Sequence, residues 1–149
     1  MTKFVAIALC TLVLASCTHA GPQQGSCAVT PAVLATPPDD EAVQGPPVEA
    51  YYHVNANRTI WAAAPTALSA GGGEHKIPWF RPPGAALEIT GRRLDGAAGP
   101  LEATIPCCYR TRFQSSAVRF PAAGCWEVVG RAAGEELWFV VLVAPGEPT

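Results

Sequence analysis

The sequence predicts an all-β domain, an antiparallel β-sandwich of about seven short strands, and three observations carry that expectation. Short apolar runs recur from residue 48 onward, several with period-two alternation. Turn-forming residues separate them: Pro65, Gly71-Gly72-Gly73, Pro82-Pro83-Gly84, Asp95-Gly96, Gly99-Pro100, Pro106, Pro121 to Gly124 and Gly134. No stretch has the three-to-four-residue apolar spacing of an amphipathic helix, so the pattern is that of strands and turns.

Taken in order, strands are expected at residues 58–63, 76–81, 86–93, 101–105, 117–120, 125–131 and 136–143. The third alternates cleanly: Leu87, Ile89 and Gly91 share one face and Glu88, Thr90 and Arg92 the other, as in a half-buried antiparallel strand. In the sixth, Trp126 and Val128 should point inward, because turning Glu127 into the core unpaired would be costly. The seventh has Leu137, Phe139, Val141 and Val143 on one face, yet Trp138, Val140 and Leu142 on the other are apolar too. Such a strand is expected to be central, or to meet a neighbour on both faces. Residues 132–135 read as a four- or five-residue hairpin loop between the last two strands.

Ahead of this domain stand two different segments. Lys3 is the only charged residue in the first 38, an apolar run follows from Phe4 to Ala15, and Leu14-Ala15-Ser16-Cys17 closes it. That is the layout of a secretory signal, too short to span a bilayer, and the terminal cysteine makes it the cleavage box of a bacterial lipoprotein. Cys17 is therefore the expected lipidation site, the new N-terminus carrying acyl chains such as palmitate on its sulfur and amine. Each buried CH₂ is worth about 0.8 kcal/mol, so multiple chains anchor stably. From Thr18 to Pro47 the chain is rich in Pro, Gly, Ala and Gln and has no aromatic residue. Such a composition cannot offset its ordering entropy and reads as a disordered tether. The expected organisation is a signal peptide at 1–16, a tether at 17–47 and the sandwich at 48–149. Asp39-Asp40-Glu41 lacks the spacing of a calcium loop.

The mature chain carries nine Lys and Arg against twelve Asp and Glu, with no basic cluster. Nothing here favours nucleic acid as a partner. Mean hydropathy is slightly positive through the signal peptide and abundant alanine, and the longest later apolar run, residues 137–144, has the length of a buried strand.

The segments Asn57-Arg58-Thr59-Ile60-Trp61, Trp79-Phe80-Arg81-Pro82, Gly91-Arg92-Arg93-Leu94-Asp95-Gly96, Phe120-Pro121-Ala122-Ala123-Gly124-Cys125-Trp126-Glu127-Val128 and Phe139-Val140-Val141 run across some ninety residues. Together they resemble a group of uncharacterised bacterial lipoproteins with a C-terminal immunoglobulin-like domain. The resemblance implies an immunoglobulin-like sandwich and an envelope location, and no activity or catalytic residues.

Four cysteines remain once Cys17 carries lipid: Cys27, Cys107, Cys108 and Cys125. Four allow three pairings. Adjacent residues in an extended chain point opposite ways, so only one of Cys107 and Cys108 is expected to face Cys125. That bridge would close a loop of about 18 residues, worth roughly 3 kcal/mol in the chain-entropy model, leaving Cys27 for the other thiol. The alternative is a small metal-handling or redox lipoprotein using Cys107, Cys108 and Cys125. A blue-copper site needs two His, a Cys and usually a weak Met, whereas the sole Met is the initiator and no His follows Cys125. No cofactor and no metal site are expected. Nucleophile-elbow, zinc-helix, phosphate-loop and dinucleotide motifs are missing from the sequence, so no catalytic residues are assigned. Trp79, Arg81, Arg92, Arg93 and Asp95 lie near turns and are the candidates for a binding surface, their structural reading being core packing for Trp79 and a turn-steadying ion pair for Arg93. The expectation is a lipid-anchored, non-enzymatic, extracytoplasmic binding or envelope-associated module. Its partners are the membrane and an unidentified protein or envelope ligand. In a cell with two membranes Thr18, in place of a retention aspartate, points to the outer one.

Overall fold

The computed structural model describes residues 26–38, 48–71, 73–107 and 109–146. Among these there is no helix; nine strands form two antiparallel sheets. They are β1 (Val33–Ala35), β2 (Ala50–Val54), β3 (Trp61–Ala63), β4 (His75–Phe80), β5 (Leu87–Arg93), β6 (Glu102–Thr104), β7 (Phe113–Arg119), β8 (Gly124–Ala132) and β9 (Glu135–Val143). One sheet has the order β1-β2-β3-β4-β7-β6 and the other β5-β8-β9. With β1 and β2 set aside, the remaining seven strands follow the ABED and CFG order of a constant-type immunoglobulin sandwich. Each of the seven expected strands is present, with ends shifted by a few residues.

Alternation builds the core. Leu87 and Ile89 on β5, Trp126 and Val128 on β8, and the Leu137, Phe139, Val141, Val143 row on β9 all face Ile77, Trp79 and Val118 of the larger sheet. Glu127 points outward and accepts from Arg92 Nε at 2.8 Å, cross-strand from it. Pro78 is tolerated within β4 because β3 pairs only with Trp79 and Phe80, leaving Pro78 opposite β7 alone. The β8–β9 hairpin is tighter than expected. Ala132 pairs with Glu135, so the loop is the two residues Ala133 and Gly134, both at positive φ (51° and 79°) as a type I′ turn requires.

Two expectations are corrected at the N-terminal end. The first is the tether, because residues 26–38 belong to the sandwich. Thr30 exchanges hydrogen bonds with Val140 of β9, its amide donating to the carbonyl at 3.0 Å and its hydroxyl accepting from the amide at 2.9 Å. Three residues later β1 pairs with β2. The segment thus crosses from one sheet's edge to the other's. An aromatic-free strand this short cannot fold alone, but two preformed sheet edges supply its partners. The second correction concerns β9, which is an edge strand and not central. Its outer face leaves Trp138 61% and Leu142 59% exposed.

Candidate functional site

The disulfide expected from Cys107 or Cys108 to Cys125 is not formed. Cys125 on β8 is bonded to Cys27, with a Cα–Cα distance of 5.4 Å. The reason is orientation: Cys125 has the outward parity of β8, beside Leu142, and the segment carrying Cys27 runs along that outer edge. Cys107 is also disulfide-bonded. Among the described residues no group of three His, Cys, Asp or Glu converges in a form that could hold a metal ion. Cys17 and Cys108 lie outside the described residues.

The five binding-surface candidates separate into two groups. Trp79 and Arg81 are buried and not at the surface. Trp79 Nε1 donates to Ser116 Oγ at 3.0 Å, and that hydroxyl donates to the Ile77 carbonyl. Arg81 is a clamp on the loop before β7: Nη1 donates to the Thr111 and Pro82 carbonyls, and Nη2 to the Tyr109 carbonyl and Gln114 Oε1. Gln114 in turn donates to the Pro106 carbonyl. A guanidinium so engaged holds backbone, and Arg81 and Gln114 also line the cleft that this loop borders. Arg92, Arg93 and Asp95 do lie outside the core, but in ion pairs. Arg92 pairs with Glu127, and Arg93 Nε meets Asp95 Oδ1 at 2.7 Å. The hydrogen bond from Arg93 holds the Asp95 carboxyl below its ordinary range.

The clamped loop forms one wall of a cleft of about 430 Å³, a size in the range of small-ligand sites. Leu87, Ile105 and Pro106 supply apolar walls, and Cys107, Tyr109 and Arg110 also line it. Two smaller clefts, about 280 and 340 Å³, flank the crossing segment and share Thr30, Pro31 and His53. His53 is buried under that segment, stacked on Phe139 with ring centroids 4.2 Å apart and planes 7° from parallel. Its Nδ1 has no hydrogen-bond partner, and burial pushes the imidazole below its usual pKa.

Sequence reasoning assigned no site role to His53, Tyr109, Arg110 or Trp138. For Trp138 a signal existed: it shares the outward parity of Glu136 on a strand whose other face already fills the core. The domain defined by these features is a disulfide-closed immunoglobulin-like sandwich with open clefts at the loop end, beside the crossing segment and at the β8–β9 hairpin. Compared with protein-family models, with curated proteins and with solved structures, the chain gives no match.

Proposed function

We propose that the protein is a lipid-anchored, extracytoplasmic binding or envelope-associated module that acts by contact and not by catalysis. The carrying observation is the disulfide geometry of Cys27 and Cys125, whose Cα atoms are 5.4 Å apart, since disulfides persist in secreted, periplasmic and cell-surface compartments. The Leu14-Ala15-Ser16-Cys17 box supports the route there and the anchor. The likeness to envelope lipoproteins with an immunoglobulin-like domain points the same way. For binding, the loop-end cleft is the favoured place: an apolar trough lined also by Tyr109 and Arg110 suits a ligand with an apolar body and an anionic or acceptor end. The ligand could be a segment of another envelope protein or a small molecule of that chemistry.

Two measurements test this. Mass spectrometry of the mature N-terminus should find acylated Cys17 with nothing before it; an unmodified N-terminus at or after residue 17 overturns the anchor. A photo-crosslinking residue at position 86, which also lines the cleft, should in native envelopes capture a partner that a Tyr109→Ala background loses. An equal yield in both backgrounds removes the cleft from the reading.

A further inference from the structure

Exposed large apolar side chains are concentrated in a few neighbouring stretches of the chain. Eight are found among the described residues: Val29, Val33, Leu34, Val48, Tyr51, Leu94, Trp138 and Leu142. All but Leu94 lie on the crossing segment, on β9, or on β2 and its approach. These stretches adjoin. Cys27 is bonded to Cys125, which sits cross-strand from Leu142; Thr30 is bonded to Val140; Leu34 is opposite Tyr51. Val33 and Trp138 line one cleft together, and Val29 and Leu142 the other. The same stretches are almost free of charge. Residues 26–38, 50–57 and 137–146 hold no Asp, Glu, Lys or Arg. On a soluble domain a connected apolar patch of this kind marks a partner or a membrane.

The Cys27–Cys125 disulfide decides which. If Cys17 carries lipid, only ten residue steps separate the acyl chains from a point covalently fixed to β8. At a maximum of about 3.6 Å per residue that leash spans no more than roughly 35 Å, whereas a free tether running to residue 48 would have reached about 110 Å. A short linker raises the effective concentration of the nearest surface at the bilayer, and the nearest surface is the one beside the crossing segment. Trp138 is a side-chain type that favours the headgroup level, with an apolar ring and a polar tip. The charges that border the patch are mostly paired: Glu127, cross-strand from Val140, with Arg92, and Glu136 with Arg131, while Arg58 lines the cleft beside Trp138.

We propose that the Val29–Trp138–Leu142 patch docks on the lipid surface, so that the bilayer and not a protein covers it and the domain lies against its membrane. This orientation rests on the lipid anchor proposed above. The crossing segment then has a second role beyond closing two sheet edges: it brings the leash out beside the surface that docks.

Tryptophan fluorescence reads the proposal directly. Of the four tryptophans, Trp61, Trp79 and Trp126 are buried in the domain and Trp138 alone is exposed. The full mature protein, acylation verified by mass, is reconstituted into phosphatidylethanolamine–phosphatidylglycerol vesicles with plain or brominated acyl chains. The expected result is loss of the Trp138 emission in brominated vesicles, and no difference between the two vesicle types for Trp138→Phe. Acylated protein with equal emission in both vesicles overturns the docking and leaves the anchor standing. A Cys17 without lipid overturns the anchor and this inference with it. Trp138 shielded from acrylamide in native envelopes, but unquenched by brominated lipid, assigns the patch to a protein partner and overturns the lipid one.

Discussion

The six-membered ring of Trp79 occupies the space that a side chain at Gly130 would need: a Cβ there would overlap Cζ3 and Cη2 and come within 3.3 Å of Cε3. Trp79 belongs to β4 and Gly130 to β8, so the contact joins the two sheets at the centre of the core. These are the B and F strands of the immunoglobulin order, which in antibody domains carry the inter-sheet disulfide. Here the β8 cysteine is turned outward to Cys27, and an indole seated on a glycine packs the sheets together.

Gly130→Ala should therefore behave as an overpacked core substitution. The expected cost is about 1–3 kcal/mol in urea unfolding, with part of it recovered in the Gly130→Ala, Trp79→Phe double variant. Equal stability of Gly130→Ala and the parent would mean that the ring does not sit where described.

Cys27→Ser removes a bridge between residues 98 apart in sequence. The chain-entropy model, with native strain and residual structure set against it, leads to an expected loss of about 2–5 kcal/mol. Reducing the wild type should reproduce most of that loss, and residues 26–38 should become the first site of proteolysis. A variant as stable as the oxidised parent would show that the segment is held by its sheet contacts alone.

Arg81→Met withdraws the donors that serve three carbonyls and Gln114 Oε1. A loss of about 3 kcal/mol is expected, with faster hydrogen exchange in residues 109–112. Arg81→Lys should restore little, because an ammonium cannot reproduce the planar fork. Unchanged exchange in that loop would argue against the clamp.

His53 makes stability depend on pH. Burial lowers its pKa in the folded state from the ordinary 6.5, so the unfolded chain binds the proton first as pH falls. Its contribution is complete above about pH 6.5 and is lost as pH drops below that value toward the lowered folded pKa. The midpoint of thermal unfolding should fall between about pH 7 and pH 5, less steeply in His53→Phe. Identical slopes in both proteins would assign the effect elsewhere.

The β8–β9 turn holds Ala133 at φ 51°, a region that asparagine or glycine enters more readily. Ala133→Asn should stabilise the hairpin by about 1 kcal/mol in chemical denaturation. No gain would mean that the parent turn carries no left-handed strain.

Strand existence in the second half of the chain was legible because it depends on local information: alternation, β-branched and aromatic content, and the Gly and Pro breaks. Leu87, Ile89, Trp126 and Val128 point inward as their pattern requires. The short N-terminal strands were not legible in the same way. Val33–Ala35 is three residues long in a Pro- and Ala-rich stretch, and its stability comes from the edges of β2 and β9, which are distant in sequence.

The candidate surface followed the same division. Proximity to turns singled out Trp79 and Arg81, yet turn position says nothing about which side chains the facing sheet will cover. By itself the sequence determined the class of fold and the inward rows of β5 and β8. Only the tertiary structure decided that Cys27 meets Cys125, that β9 lies at an edge with Trp138 outward, and that Arg81 is spent on backbone carbonyls. Those outcomes depend on which strands become neighbours, a choice made by packing two whole sheets together and not by any local run of residues.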